Sequence, residues 1–444
     1  MKILVYAHDL GVGGSQLNAI ELAGALQRDG HEAVIFGRPG PLVDIISDLG
    51  LEFVPAPILR RRPSVAAIRD LVALSRRRQF DVLHGYEWPP ALECYLAARQ
   101  LAGTVAVSTV LSMRVAPFIP AHLPLAVGTR LIADTESSSG RTRIALMEPP
   151  VDTEVNRPGL ALGQAEFKKN LKLEPDTYVV SLVSRLAHQL KLEGILTAME
   201  VVADLSRLHK VTLLVAGDGP AQAEVAKRAA QVNQQSGRRT VILLGELSDP
   251  RPVYDVADVC LGMGGSALKA LSFAKPLVVQ GEGGFWELLT PSSLPTFLFQ
   301  GWYGAGSDPT SGRRELGRIL TGLLPAEELR KELGTFGLQV VQSRFSLHRA
   351  KDVQLAIYSD AVRNRQQPAK ELKGDVIAAS RFMNYETRRI ASRIMGRSIA
   401  EDFNARPLTG PLLSPHYAEE APPATDTFRL QETQEKPVRR TPLS

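Results

Sequence analysis

Three glycine-rich turns carry the chemistry that this sequence offers. Gly262, Gly264 and Gly265 follow an apolar stretch, and Ser266 to Phe273 reads as a short helix. A helix start presents unpaired N–H groups and the positive end of its dipole to an anion. Glycine lets the backbone approach a ligand with no Cβ in the way. After the apolar run Pro276 to Val279, Gly281-Glu282-Gly283-Gly284 forms a second turn, expected to open into a helix at Phe285. A third turn, Gly11-Val12-Gly13-Gly14-Ser15, lies between an apolar run at Lys2–Tyr6 and an amphipathic stretch at Gln16–Arg28. It lacks the full GxGxxG spacing, and no acid ends the following strand at Glu32–Phe36, which disfavours a dinucleotide site. Glycines also mark tight αβ turns in any α/β protein, so the turns need support from their surroundings.

Those surroundings alternate strand and helix patterns along the chain. Lys2–Tyr6, Glu32–Phe36, Glu52–Pro55, Phe80–Gly85 and Val105–Leu111 read as buried parallel strands. Helices are expected near Pro41–Leu49 and Ser64–Arg78. Leu131–Asp134 is expected to be another short strand, with Ser137-Ser138-Ser139 capping a following helix. The alternation restarts at Asp176, with strands at Tyr178–Val183, Val211–Ala216 and Val241–Leu244. With 444 residues, 44% apolar and 22% charged, the chain has room for two or three globular domains. Its two cysteines, Cys94 and Cys260, stand in apolar stretches and suggest neither a disulfide framework nor a metal site. The net charge of +5 comes with arginine clusters at Arg60–Arg62 and Arg76–Arg78, read as solvated helix faces, with an anionic membrane surface as the functional alternative. No motif for nucleic acid accompanies them. With neither a leader pattern nor a spanning run, a cytoplasmic protein is expected, with a peripheral membrane contact left open.

The residues Ala257-Asp258-Val259, Gly262-Met263-Gly264, Ala270-Leu271, Lys275-Pro276 and Gly283-Gly284 before Glu287 resemble the donor-binding half of the GT-B fold retaining glycosyltransferases of family 4, also called group 1. Gly13-Gly14, Leu22-Ala23, Leu26 and Gly30-His31-Glu32 resemble the start of the same family. The late motif Arg344-Phe345-Ser346-Leu347 fits as well, and the resemblance covers roughly residues 1–363. It implies two Rossmann-like domains facing across a cleft, with residues 1–155 as the acceptor domain and 156–348 as the nucleotide-sugar donor domain. Residues 349–366 would form a helix crossing back to the first domain.

The resemblance also implies site roles. Arg185 and Lys191 form the clamp on the donor diphosphate, helped by Gly13, Gly14, Gly264, Gly265 and Ser266. A leaving diphosphate gains charge as the glycosidic bond breaks, and fixed cations stabilise that charge selectively in the transition state. Gly245 and Glu246 belong to the nucleotide-base region, and Lys269, Glu282 and Glu287 to the donor sugar or ribose. No catalytic side chain is assigned. No cofactor is expected beyond the nucleotide sugar as substrate, and no metal, since no Asp-x-Asp cluster is evident.

Three positions depart from the family pattern. Leu111 stands at a strand end where many members carry a histidine, leaving Ser112, Arg114 and His122 as open alternatives for acceptor chemistry. The family's paired glutamates fall on Leu261 and Lys269. Lysine accepts no hydrogen bond from a ribose hydroxyl. His84, at another strand end, is expected to be structural. The leading expectation is a retaining glycosyltransferase acting on an unidentified glycan, lipid or small-molecule acceptor. The alternatives are a degenerate GT-B protein that serves as a partner or scaffold, and a sugar-nucleotide epimerase. Beyond the resemblance, residues 367–405 suggest a basic helical extension, and the proline-rich stretch 406–444 a disordered tail.

Overall fold

The computed structural model describes residues 1–58, 61–365 and 368–395. The apolar runs of the first half form β1 (Lys2–Asp9), β2 (Glu32–Arg38), β3 (Glu52–Pro55), β4 (Val82–Tyr86), β5 (Val105–Val110), β6 (Leu125–Val127) and β7 (Ile144–Leu146). All pair in parallel, in the order β3-β2-β1-β4-β5-β6-β7. Helices cover both faces, so central strands such as β4 and β5 are buried at every residue.

The second half builds β8 (Tyr178–Val183), β9 (Val211–Ala216), β10 (Val241–Gly245), β11 (Val259–Gly262), β12 (Leu277–Gln280) and β13 (Trp286–Leu288). Their order is β10-β9-β8-β11-β12-β13, parallel except for the last pair. Both sheets reverse strand order beside their first strand, between β1 and β4 and between β8 and β11. Such a switch point leaves a crevice at the carboxyl ends of the strands.

Val151 joins the two halves. Its N–H donates to the Phe345 carbonyl at 2.8 Å, and its own carbonyl accepts from Leu347 N at 2.9 Å. The helix Leu347–Arg363 then returns to the first domain, burying Leu347, Ile357 and Tyr358 in that domain's core. Two Rossmann-like units with a crossing helix therefore form the GT-B arrangement. The helix Pro368–Ile394 follows. The expected tail at 406–444, and residues 396–405 of the expected extension, lie outside the described residues.

Several expectations are corrected. Leu131–Asp134 is not a strand but part of the helix Arg130–Ser138, whose first turn is capped by the Thr129 hydroxyl accepting from Ile132 N at 3.3 Å. Ser137 and Ser138 end that helix instead of capping another. Phe285 does not open a helix, because the chain turns back into β13 against β12. Nor are the arginine clusters simply solvated: Arg62 pairs with the fully buried Glu93 at 2.9 Å, and Arg78 bonds Glu32 and Glu52 at 2.7 and 2.9 Å. Arg60 lies outside the described residues.

Candidate functional site

On the first domain, β1 runs into the Gly11–Ser15 loop, and Gly13 takes the N-cap position of the helix Gly14–Arg28 without any side-chain cap. The amides of that first turn are left open to a ligand. A Cβ added to Gly14 would meet nothing within 4 Å, so packing does not demand glycine there.

On the second domain, Arg185 follows β8 and is exposed, while Lys191 precedes the helix Leu192–Leu205. Burial, aided by Arg185, pulls the Lys191 amine down to about 7. Neither side chain has a partner among the described residues. Beside Lys191, Gly264 heads the helix Gly265–Ser272 with φ of +59°, a region that favours glycine. Open space again lies over Gly264 and Gly265. The Gly264 amide is already bonded to the Trp302 carbonyl at 2.7 Å, and the Ser266 hydroxyl donates to the Met263 carbonyl at 3.0 Å, so both also have structural work.

The second glycine turn differs. A Cβ on Gly281, Gly283 or Gly284 would come within 1.9 to 2.4 Å of the Gly304–Asp308 backbone, so packing alone requires these glycines. The Gly283 and Gly284 amides are taken by the Glu193 carboxylate. The Glu282 carboxylate accepts from Leu190 N at 3.0 Å, which ties the Arg185–Lys191 loop to this turn. Glu287 instead faces a groove of about 450 Å³ with Glu315 and Arg318, and that groove shares no residue with the cavity between the domains. Gly245 closes β10 and accepts from Gly217 N at 2.7 Å, with Glu246 exposed beyond it.

On the first domain, a buried polar cluster centres on a residue that the sequence did not single out. Glu87 stands between β4 and the helix Trp88–Ala98 with φ 65° and ψ 171°, a backbone conformation that costs a non-glycine residue energy and marks functional sites. Its carboxylate accepts from Ser15 Oγ at 2.8 Å, Leu111 N at 3.1 Å and Ser112 Oγ. Burial raises its pKa, and these donors oppose that rise. His84 is structural: its ring bonds Tyr358 Oη at 2.7 Å and Thr109 Oγ1 at 2.8 Å, and burial lowers its pKa to about 3. His122 is engaged with the Tyr95 hydroxyl at 2.8 Å and Asp375 at 3.6 Å, away from this cluster, while Arg114 is exposed.

Residues 12–118 match the family described as Glycosyltransferase Family 4, and residues 177–301 match Glycosyl transferases group 1, together more than half of the chain. The chain belongs to these glycosyltransferases. No curated protein matches it. Among solved structures, a glycosyltransferase from Rickettsia africae is 14% identical, with 82% of this chain and 99% of that one covered at a TM-score of 0.64. Anabaena HepE in complex with UDP is 13% identical over 81% and 100%, at 0.63. The lipopolysaccharide-biosynthesis glycosyltransferase WaaG is 11% identical over 82% and 100%, at 0.53. At such identities the likeness shows the fold.

Between the domains of this glycosyltransferase lies a cavity of about 160 Å³, lined by Leu111, Ser112 and Gly128 on one side and Lys191, Gly264 and Trp302 on the other. The Trp302 indole N–H is buried with no acceptor among the described residues. Lys269 is partly buried and interacts electrostatically with Glu21 across the domain boundary and with Asp249. Among the described residues no cluster of three or more His, Cys, Asp or Glu is placed to hold a metal ion, and no helix is long and apolar enough to cross a membrane.

Proposed function

We propose that this glycosyltransferase takes its sugar from a nucleoside-diphosphate donor, transfers it with retention of configuration, and uses Arg185 and Lys191 in place of a metal ion. The observation that carries this reading is the pair of unpartnered cations beside Gly264, with two open helix starts, at Gly14 and Gly265, on opposite domains. Two fixed positive charges and two helix dipoles suit a diphosphate whose charge grows as the bond to the sugar breaks. In the transfer, the bond from the anomeric carbon to the phosphate oxygen breaks, and the acceptor oxygen bonds that carbon on the same face. The acceptor proton passes to the departing phosphate oxygen. The Glu87 carboxylate, held by three donors, orients Ser15 and Ser112 on the acceptor side and is not needed as a base.

HepE complexes with UDP and with UDP-glucose make UDP-sugars the first donors to try. A ligand bound only by the folded state at a hundred times its Kd adds about 2.7 kcal/mol of stability. The test measures thermal shifts with UDP-, GDP-, ADP- and TDP-sugars for the natural protein and Arg185→Ala. One selective donor should raise the melting temperature and lose that effect in the variant, whose own melting temperature stays unchanged because Arg185 is exposed and unpaired. Equal shifts in both proteins would remove the clamp assignment. Turnover that survives EDTA is expected, and its loss with rescue by a divalent ion would overturn the metal-free reading.

A further inference from the structure

The cavity between the domains has two unlike walls. Its volume of about 160 Å³ is space for roughly ten waters, close to the heavy atoms of one hexose. The group in transfer must touch the departing phosphate on one domain and the acceptor on the other. A cavity that joins Lys191 and Gly264 to Leu111 and Ser112 meets both conditions, and the diphosphate assignment made above puts the donor sugar in it.

The second-domain wall offers polar side chains that are still open. The Trp302 indole N–H is buried without an acceptor, and the Tyr303 hydroxyl has no hydrogen-bond partner among the described residues. Gln300 donates to the Tyr303 carbonyl at 2.9 Å, which leaves its own carbonyl oxygen as an acceptor. The first-domain wall differs. Leu111, Met113, Leu131 and Ile132 supply apolar surface, and the polar side chains among them are committed within the chain. Ser112 donates to Glu87, Thr129 accepts from Ile132 N at 3.3 Å, and Glu148 takes Arg344 Nε at 2.8 and 3.0 Å. The Leu111 N–H is likewise taken, by Glu87. A hydroxyl turned toward this wall gives up its water and gains no partner, whereas a methyl group loses nothing there.

We propose that the donor is a nucleoside-diphosphate 6-deoxyhexose. Its ring hydroxyls meet Gln300, Trp302 and Tyr303, and its C6 methyl group lies against Leu111 and Met113. C6 is the carbon outside the ring, so only there does loss of an oxygen leave an apolar group that projects to a wall. This inference rests on the donor reading above and adds the class of sugar.

The test is titration calorimetry with donor pairs that differ by one oxygen: UDP-6-deoxyglucose and UDP-glucose, TDP-6-deoxyglucose and TDP-glucose, GDP-6-deoxymannose and GDP-mannose. UDP, TDP and GDP alone are the references. In the pair whose nucleotide binds, the 6-deoxy donor should bind about ten- to a hundredfold tighter. Leu111→Asn puts an amide on the apolar wall and should remove most of that preference while Kd for the nucleotide alone stays unchanged. Met113→Gln, at a second partly exposed position of the same wall, serves if Leu111→Asn disturbs nucleotide binding. Equal or tighter binding of the hydroxylated donor overturns the proposal and leaves the diphosphate reading standing. A preference that neither variant alters also overturns it, because the methyl group would then lie elsewhere. If neither the nucleotides nor their sugars bind, the donor reading falls and this inference falls with it.

Discussion

The Glu193 carboxylate caps the second glycine turn, with Oε1 2.7 Å from Gly284 N and Oε2 3.1 Å from Gly283 N. A turn that reads as a phosphate cradle therefore holds an anion from its own chain. Glu193→Ala leaves two amides without an acceptor, and the expected loss of stability is about 1–3 kcal/mol. Urea denaturation measures it. An unchanged midpoint would mean that water replaces the carboxylate at no cost.

The proposed role of Lys191 at the donor diphosphate requires donor affinity to depend on pH. Its amine is pulled down to about 7 in the free protein by burial and by Arg185, and bound phosphates raise it again. Well below pH 7 the lysine is charged in both states and affinity is flat. Above it, the free protein has lost a proton that the complex keeps. Donor Kd then rises about tenfold per pH unit until the pKa of the complex is passed. Calorimetry with a nucleoside-diphosphate sugar in buffers of different ionisation enthalpy should detect proton uptake near pH 8. Lys191→Met should abolish that uptake, and a natural protein with a flat Kd across the same range would contradict the assignment.

His84 shapes stability at acid pH. Its folded pKa of about 3 lies below the unfolded value of 6.5. The neutral ring's contribution is thus complete above pH 6.5 and is lost as pH falls toward 3, at about 1.4 kcal/mol per unit. Stability measured at about pH 6 and pH 4.5 should fall less steeply in His84→Gln than in the natural protein. Parallel slopes would show that the ring is protonated in the fold.

The fold was largely legible because its parallel strands, buried on both faces, read as apolar runs closed by glycine turns. The three-residue strands β6 and β7 were too short to register, and Leu131-Ile132-Ala133 reads as a strand only if the Thr129 cap goes unnoticed. Arg185, Lys191, Gly14 and Gly264 were legible because each lies at a strand-to-helix junction, a local pattern. Glu87 was not, since its place depends on Ser15, Leu111 and Ser112, which lie 24 to 72 residues away in sequence, and on a backbone angle that no residue type announces. A still longer separation, 90 and 91 residues, hid Glu193 from the turn that it fills.

Lys269 stands where the resemblance expects a glutamate, and across the domain boundary it answers Glu21. Burial raises the Glu21 pKa to about 7, with Asp152 adding to the rise and Lys269 opposing it. Because the unfolded value is 4.5, Glu21 costs stability as pH rises from 4.5 through 7, and Lys269 reduces that cost. Lys269→Glu sets a second carboxylate beside Glu21 and also takes a cation from Asp249. The loss of stability should be larger at about pH 8, where Glu21 is charged, than at about pH 5.5, where it is mostly protonated. In a Glu21→Gln background that pH dependence should vanish, leaving the pH-independent cost of taking a cation from Asp249, whose lowered pKa keeps it ionised at both values. Thermal melts of the four proteins at the two pH values complete the cycle. If Lys269→Glu costs the same at both pH values whether residue 21 is Glu or Gln, the two side chains do not interact, and the lysine must be explained by the ligand alone.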